Sequence, residues 1–331
     1  MPLFALGVVL AGLAGPARAA APTSSSSPSS SPSPASEAAG QAMLAPPAAT
    51  PASVLSPPPA PTPVLPHADL EQLYTQGRFD EGLKRARAQL DANPNDVDLY
   101  WHVARFMYEI GERVHKDSAD YDKEAWYAEM LAVCERGLTL SPGHPHLLFG
   151  KGIALARLGT TRGIVASIRY ADDIEGAWMS SAHSDSRYRS LGGEEILPCD
   201  PMMGLGTFYR MVPDMWIVKV LTGTRGDLDK ALDYLNRADR CSPGRIEIRK
   251  ELGVAQVCYG QRRHQDQMVV QGIQTLREAA AMAPTKPTDV TDVRDAAMVA
   301  DDPSMACAYS RDGQAEVDAK ALESQGVRAT P

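Results

Sequence analysis

Helical segments separated by regularly spaced glycines and prolines fill the chain from His67 to about Pro303. Twice, two glycines lie 34 residues apart and a proline follows the first glycine after 17 residues. The two sets are Gly77, Pro94 and Gly111, and Gly226, Pro243 and Gly260. A period of about 34 residues is typical of tetratricopeptide repeats, in which two antiparallel helices stack on their neighbours. The pattern predicts that each glycine turns the first helix into the second and that each proline follows the second helix.

The same frame continues with insertions between helices, where added length costs little closure entropy. One predicted insertion runs from Glu112 to about Ala125, and another is His264-Gln265-Asp266-Gln267. Leu205-Gly206 is expected in the first helix of a repeat between Gly159 and Gly226. We therefore expect an all-α, tetratricopeptide-type superhelix of helical hairpins, an α-solenoid of about four to five repeats.

The start of the chain has another character. Residues 3–13 form an apolar run, and Ala17-Arg18-Ala19 resembles a signal-peptidase site. We predict a signal peptide over residues 1–21 and a periplasmic or secreted protein. The run is too short for a comfortable membrane span. No Lys or Arg precedes it, so the alternative is an alanine-rich disordered start on a cytoplasmic protein.

Three further segments follow the predicted signal. Residues 22–66 are rich in Ser, Pro and Ala, with hardly a charge or a large apolar group, which predicts a disordered linker. It is either a tether that holds the folded part away from a membrane or envelope, or a neutral spacer. Residues 67–303 form the predicted repeat domain, and residues 304–331 a polar, loosely held tail.

Net charge and cysteine spacing exclude some classes of function. The formal net charge of −8 and the pI of about 5.4 argue against nucleic acid as a main partner. None of the five cysteines has CxxC spacing, so no zinc site is expected. Cys134 and Cys258 are expected to be small buried groups in helices. Cys199 and Cys307 are expected in loops, where they could pair in an oxidising compartment.

Catalytic motifs are missing from the sequence. It has no phosphate-binding glycine loop, nucleophile elbow or HExxH motif, and we predict neither an enzyme nor a cofactor. His144-x-His146 follows a Ser-Pro-Gly turn, and we interpret it as the opening of a helix, so that no metal site is predicted. Glu194-Glu195 follows two glycines in a polar loop and is an alternative cation ligand. Residues 208–221 are expected to end one helix and add a short extra helix, or else to form a docking surface.

The first helix of each repeat lines the concave groove of a tetratricopeptide array. Trp101, Arg105 and Tyr108 follow i, i+4, i+7 spacing, so they share one helical stripe. Aromatic and arginine side chains in a groove suit a peptide segment. The alternative is that Trp101 and Tyr108 pack inside the domain. The partner-binding candidates are Asp98, Trp101, Arg105, Tyr108, Glu109, His146, Phe149 and Arg157.

A closer likeness lies in the order of the helices and insertions. Its motifs include Tyr100-Trp101-His102-Val103-Ala104-Arg105, Leu138-Thr139-Leu140-Ser141-Pro142 and Met202-Met203-Gly204-Leu205-Gly206. Over residues 99–243 the chain resembles the animal regulator of microtubule dynamics family. That resemblance implies a tetratricopeptide superhelix and a role in protein association without catalysis. It furnishes no catalytic residues, and the acidic chain argues against binding to acidic microtubules.

Two functions remain open at this point. The first is an exported scaffold or adaptor, which binds a protein or peptide partner in its concave groove. The second is a small-molecule-binding accessory subunit of a transport system. A closed, partly apolar channel would favour the second, and a groove rich in charged and aromatic side chains the first.

Overall fold

The computed structural model describes residues 66–113, 122–162, 168–212 and 223–311. Within them lie eleven α-helices, which we number in chain order. They are α1 (Ala68–Thr75), α2 (Phe79–Ala92), α3 (Val97–Arg113), α4 (Lys123–Leu140), α5 (Pro145–Arg162), α6 (Ala171–Ala182), α7 (Cys199–Met211), α8 (Leu228–Cys241), α9 (Ile246–Arg263), α10 (Asp266–Ala280) and α11 (Pro287–Asp301). Short 3-10 turns at Ile168–Tyr170 and Pro303–Met305 precede α6 and follow α11.

Consecutive helices pack together as hairpins. The pairs are α1 with α2, α3 with α4, α5 with α6, α7 with α8, and α9 with α10, and α11 packs against both α9 and α10. The first helices of successive hairpins also contact each other, as α3 and α5 do. This arrangement confirms the all-α, tetratricopeptide-type superhelix, with five hairpins in the part of the chain described here.

Apolar side chains between the layers form the core. Phe106 and Met107 of α3 and Leu147 of α5 are completely buried in the cluster that spans α1 to α5. A second cluster joins α5 to α8 around Trp178 and Tyr209, and a third joins α9 to α11. Each hairpin thus buries its apolar stripe against the next one, as expected for stacked repeats.

Of the four predicted turn glycines, Gly77 and Gly226 lie between the first and second helices of their hairpins, and Gly111 and Gly260 do not. Gly77 separates α1 from α2 with φ +68°, a conformation that favours glycine. Gly111 and Gly260 lie inside α3 and α9, and the left-handed residue after α9 is His264, with φ 54°. Gly260 is needed for close helix approach, because a Cβ there would lie 2.7 Å from the backbone nitrogen of Val269 in α10.

The predicted proline positions are correct, but one of the predicted insertions is wrong. Pro94, Pro142 and Pro243 each follow the second helix of a hairpin, as predicted. Leu205-Gly206 lies in α7, the first helix of its hairpin, also as predicted. The expected insertion at residues 264–267 is wrong, because only His264 and Gln265 separate α9 from α10 and the extra length extends the helices.

A short β-hairpin interrupts the helices between α6 and α7. Strand β1 (Tyr188–Arg189) pairs antiparallel with β2 (Glu195–Leu197), with Tyr188 opposite Leu197. Gly193, with φ +85°, lies in the turn. The sequence predicted a loop here, because strands of two and three residues are too short to show an alternation of apolar and polar side chains.

Two disulfides link the helices, and neither is the expected pair. Cys199 at the start of α7 bonds Cys241 at the end of α8, and Cys258 in α9 bonds Cys307 beyond α11. The proposed Cys199–Cys307 pairing is therefore wrong, and so is the assignment of Cys258 as a simple buried thiol. Cys134 is free and buried, as predicted, and burial raises its thiol pKa to about 12.

The packed structure continues past the predicted boundary at Pro303. Ala306 and Tyr309 are buried in the α9–α11 cluster, and the Cys258–Cys307 disulfide anchors the segment. The described part of the polar tail, through Arg311, is therefore held against the repeats. The predicted signal and linker, the core of the α3–α4 insertion (residues 114–121), the expected extra helix after Pro213 and residues 312–331 lie outside the described residues.

The array also turns back on itself. Helix α11 contacts α3, and a Cβ on Gly77 would lie 3.0 Å from Pro287 at the start of α11. The first hairpin and α11, the last helix of the described array, are thus neighbours. A search of the described helices for one both long and apolar enough to cross a membrane finds none.

Candidate functional site

The first helices of the hairpins, which line the concave side in tetratricopeptide arrays, carry buried charged side chains, as α11 does. Eight of these residues in or next to these helices, four acidic and four basic, form what we call the concave charge network. They are Glu71, Arg105, Glu109, Arg210, Arg245, Lys250, Glu251 and Asp292. Buried charges are costly unless they are paired, so their partners define the chemistry of this side.

At the amino-terminal end of the network, α3 contacts α1. Arg105 Nη1 donates to Glu71 Oε1 at 2.6 Å, and its guanidinium lies over the Tyr74 ring at 3.3 Å from the centroid. The Tyr74 hydroxyl donates to Glu109. Burial raises the pKa of both Tyr74 and Glu109. This end of the network is closed by its own pairs.

The middle of the network is built around Arg245, just before α9. Its guanidinium binds Asp200 and lies 3.6 Å from Glu194 and 3.7 Å from Glu247. Burial, followed by the charge of Asp292, raises the pKa of Glu247 to about 7. A pocket of about 30 Å³ opens here, with Glu194, Arg245 and Lys286 among its lining residues. It has room for about one water molecule.

At the carboxyl-terminal end, Lys250 lies between two carboxylates. Its Nζ is 2.8 Å from Asp292 Oδ1 and 3.0 Å from Glu251 Oε1. Arg210 Nη2 donates to Glu251 Oε2 at 3.2 Å. These pairs join α7, α9 and α11, because each helix contributes one or more of the four residues.

Residues 303–311 lie against this end of the network. Arg210 Nη1 donates to two of their backbone carbonyls, at 2.9 Å to Tyr309 and 3.3 Å to Ala306. The Tyr309 hydroxyl donates to Asp295 Oδ2 at 2.9 Å. This end of the network therefore already contacts an irregular peptide segment, and that segment belongs to the same chain.

Arg311 ends this segment among acidic side chains. Its guanidinium nitrogens lie 3.6 Å from Glu247 and Asp292 and 3.8 Å from Glu112. Its Nη2 also donates to the backbone carbonyl of Thr288 at 3.3 Å. Arg311 thus links α3, α9 and α11 through their carboxylates.

Most of the predicted partner-binding residues lie in internal contacts. The Trp101 ring stacks on His146 with centroids 4.4 Å apart, and Tyr188 of the β-hairpin packs on His146 edge-on at 4.7 Å. Arg105 and Glu109 belong to the concave charge network. A partner could reach these side chains only if their internal contacts opened, and their binding role stays a prediction.

The remaining candidates differ in position. Phe149 packs in the core with Trp178, whose Nε1 donates to the Phe149 carbonyl at 3.0 Å, so it faces α6. Arg157 Nη2 donates to Glu112 Oε2 at 2.5 Å and lies 5.9 Å from the Tyr108 ring centroid. Asp98 is half-buried and contacts His144.

Glu194 and Glu195, which the sequence left as an alternative cation ligand, are paired with basic side chains. Lys286 Nζ donates to Glu194 Oε1 at 3.1 Å, and Arg189 Nε donates to Glu195 Oε1 at 2.7 Å. These two side chains supply the positive charge that a bound cation would otherwise provide. Sequence spacing could not show this, since Lys286 lies 92 residues from Glu194.

A cluster of possible metal-ligand atoms, which the sequence did not predict, lies near the starts of α1, α3 and α5. His67 Nε2 is 3.2 Å from Asp96 Oδ2, and His144 Nε2 is 3.1 Å from Asp98 Oδ1. One donor atom each from His67, Asp96 and Asp98 lie within 4.8 Å of one another. The residues come from separate turns, which explains why no local motif signals them.

Comparison with solved structures finds other tetratricopeptide proteins. The thermophilic protein TTC0263 of Thermus thermophilus is 16% identical with a TM-score of 0.46, and the match covers 70% of this chain and 96% of that one. MamA 41-end from Desulfovibrio magneticus RS-1 is 14% identical with a TM-score of 0.36, over 64% and 93% of the two chains.

YrrB, described as a tetratricopeptide protein with an unusual peptide-binding site, is 16% identical with a TM-score of 0.34. That match covers 72% of this chain and 98% of YrrB. No family model matches the chain, and no curated protein matches it. The fold is of the tetratricopeptide type. That assignment follows from the five hairpins and their stacking, which the chain itself shows.

Proposed function

We propose that the protein is a non-catalytic interaction scaffold whose concave side binds an irregular peptide segment of a partner. The observation that carries this proposal is the docking of the chain's own residues 303–311 on α7, α9 and α11. Repeat proteins use such extended concave surfaces for binding. The small pocket beside Arg245 gives the small-molecule alternative no support, because about 30 Å³ is far below the roughly 300 Å³ of a typical ligand site.

The contacts of the docked segment indicate what a partner would present. Arg210 recognises backbone carbonyls, which any sequence supplies. Asp295 accepts the hydroxyl of a tyrosine, and Asp292 with Glu247 surrounds an arginine two residues later. A partner segment with tyrosine followed two positions on by arginine or lysine fits these groups. Charge-assisted contacts of this kind add both affinity and specificity.

Because residues 308–311 occupy this surface beyond the Cys258–Cys307 disulfide, a partner must displace them while Cys307 stays bonded to α9. The apparent affinity for a partner is then reduced by the small fraction of molecules in which the surface is open. Weakening the internal segment should therefore strengthen the binding of an added peptide. This relation separates a true peptide site from a purely structural contact.

The test uses the full-length chain and a fluorescent peptide that carries residues 303–311 with serine in place of Cys307. We expect the double variant Tyr309→Ala/Arg311→Ala to bind this peptide at least tenfold more tightly than the wild type. Adding Asp295→Asn should weaken the binding again, while a scrambled peptide serves as the control. Equal binding by the wild type and the double variant, with normal helical content by circular dichroism, would contradict the proposal.

Export remains part of the proposal. Four of the five cysteines form disulfides, and disulfides persist mainly in oxidising compartments. Residues 1–21 would direct export, and residues 22–66 would tether the repeats to a membrane or envelope. Intact mass spectrometry of the protein from its own host should show that this predicted signal peptide has been removed. An uncleaved chain with four reduced thiols would argue for the cytoplasmic alternative.

The resemblance to the regulator of microtubule dynamics family enters the proposal only through protein association. The formal net charge of −8 disfavours an acidic lattice as partner. The acidic groups around Arg311 favour a basic partner segment instead.

A further inference from the structure

Two histidines and two aspartates from three turns meet at the end of the array where α1, α3 and α5 begin. His67 immediately precedes α1, Asp96 and Asp98 flank the first residue of α3, and His144 immediately precedes α5. The four side chains are 17% to 45% exposed, so an ion from solution can reach them. None of them belongs to the concave charge network.

The donor atoms of His67, Asp96 and Asp98 are spaced for a single ion, and His144, which pairs with Asp98, lies outside that group of three. Asp96 Oδ2 lies 3.2 Å from His67 Nε2, and Asp98 Oδ1 lies 3.1 Å from His144 Nε2. With metal–ligand bonds of about 2.0 to 2.1 Å, neighbouring ligands of a tetrahedral zinc ion lie about 3.3 Å apart. The donor atoms of His67, Asp96 and Asp98 lie within 4.8 Å of one another, so small side-chain rotations would bring them to the spacing of zinc ligands.

The backbone orients two of the four ligands. His67 has a left-handed conformation, with φ 54°, which is uncommon for a residue other than glycine. Its ring lies edge-on to His102 at a centroid distance of 5.4 Å. Asp96 Oδ1 accepts the backbone N–H of Asp98 at 3.2 Å, which leaves Oδ2 directed to His67. Groups that fix ligands in this way are common around metal sites.

The donor set selects the class of ion. Two neutral imidazoles and two carboxylates balance the charge of a divalent cation, and imidazole favours zinc and its neighbours over magnesium or calcium. We propose that His67, Asp96 and Asp98 bind a divalent transition-metal ion such as Zn²⁺, and that His144 becomes the fourth ligand when its ring turns from Asp98 toward the ion. The ion fastens the start of α1 to the turns that precede α3 and α5.

The site would act on the least supported helix of the array. Helix α1 has eight residues and is the first helix of the described array. An ion bound to the folded state alone stabilises it by mass action, and here it would hold the start of α1 against the turn that precedes α3.

The test is a titration of the full-length protein, first stripped with EDTA, with Co²⁺ followed by absorbance and with Zn²⁺ by calorimetry. We expect one ion per chain with a dissociation constant in the micromolar range or below. The variants His67→Asn, Asp98→Asn and His144→Ala should each weaken binding at least tenfold. Asparagine at position 67 tolerates the left-handed backbone, so that variant should keep its fold.

His183→Ala is the matched control, because His183 is an exposed histidine whose Nδ1 contacts only the Met179 carbonyl of its own helix. It should bind Zn²⁺ as the wild type does. Zinc should also raise the melting temperature of the wild type and of His183→Ala but not of His144→Ala. Absence of binding at 100-fold excess of metal, or equal binding by His67→Asn and the wild type, would overturn the site and leave the four residues as two histidine–aspartate pairs.

Discussion

Removing the Cys258–Cys307 disulfide should both destabilise the protein and release its docked segment. The two cysteines are 49 residues apart. The chain-entropy relation for a closed loop of that length gives about 4 kcal/mol of stabilisation at 25 °C. We expect the free energy of unfolding of the variant Cys258→Ala/Cys307→Ala to fall by about 2 to 4 kcal/mol, since the measured effect of a disulfide is often smaller than the value from chain entropy.

The assay is urea denaturation of the oxidised proteins, followed by circular dichroism. The Cys199–Cys241 disulfide provides a matched control, because its 42-residue separation gives nearly the same entropy, again about 4 kcal/mol. The variant Cys199→Ala/Cys241→Ala should therefore be destabilised to a similar extent. After reduction, the wild type should become as unstable as the variant that lacks both disulfides.

The two variants should differ in local exposure. Hydrogen exchange in residues 306–311 should rise when Cys258–Cys307 is absent, because these residues then lack a covalent link and dock through non-covalent contacts such as those of Arg210, Asp295 and the acidic groups around Arg311. It should change little when Cys199–Cys241 is absent. A loss of stability below about 1 kcal/mol for the Cys258–Cys307 variant, or equal exchange in the two variants, would refute the reasoning.

Burial lowers the pKa of His102 from 6.5 to about 3, so below pH 6.5 only the unfolded chain takes up its proton and stability falls. Between pH 7 and pH 5 the free energy of unfolding of His102→Gln should therefore fall by about 2 kcal/mol less than that of the wild type, as measured by urea denaturation at each pH. Lys250→Met should cost about 3 to 5 kcal/mol because it leaves the buried Asp292 carboxylate without its ammonium. Arg263→Met, which breaks an exposed pair, should cost less than about 1 kcal/mol in the same assay. Gly260→Ala should lower the melting temperature, at a cost of about 1 to 3 kcal/mol, by forcing α9 away from the α10 backbone; an unchanged melting temperature would show that the helices can separate freely.

The hairpin fold could be predicted because its signals are local. Proline cannot continue a helix wherever it falls, and Pro94, Pro142 and Pro243 all follow the helices they were expected to end. Glycine is ambiguous, because the same residue serves a left-handed turn at Gly77 and a close helix contact at Gly260. The sequence period is identical in the two cases, so only the packing distinguishes them.

The site was harder to predict because its contacts join distant parts of the chain. The stripe of Trp101 and Arg105 was recognisable from helical spacing, but the contacts that bury it come from His146, Tyr188 and Glu71. Residues 304–331 were predicted as one loose polar tail, and only the fold shows what anchors residues 304–311. Disulfide connectivity has the same difficulty, since cysteine spacing does not reveal which helices cross.

The contact between α11 and α3, with Pro287 against Gly77, has a consequence for how the molecule responds to force and heat. An open solenoid extends like a spring, and its end repeats fray one at a time because each repeat interacts only with its neighbours. Here the first hairpin and α11, the last helix of the described array, contact each other, so neither end can separate without breaking that contact. Pulled from its termini, the folded part should therefore resist stretching and then give way in a single step.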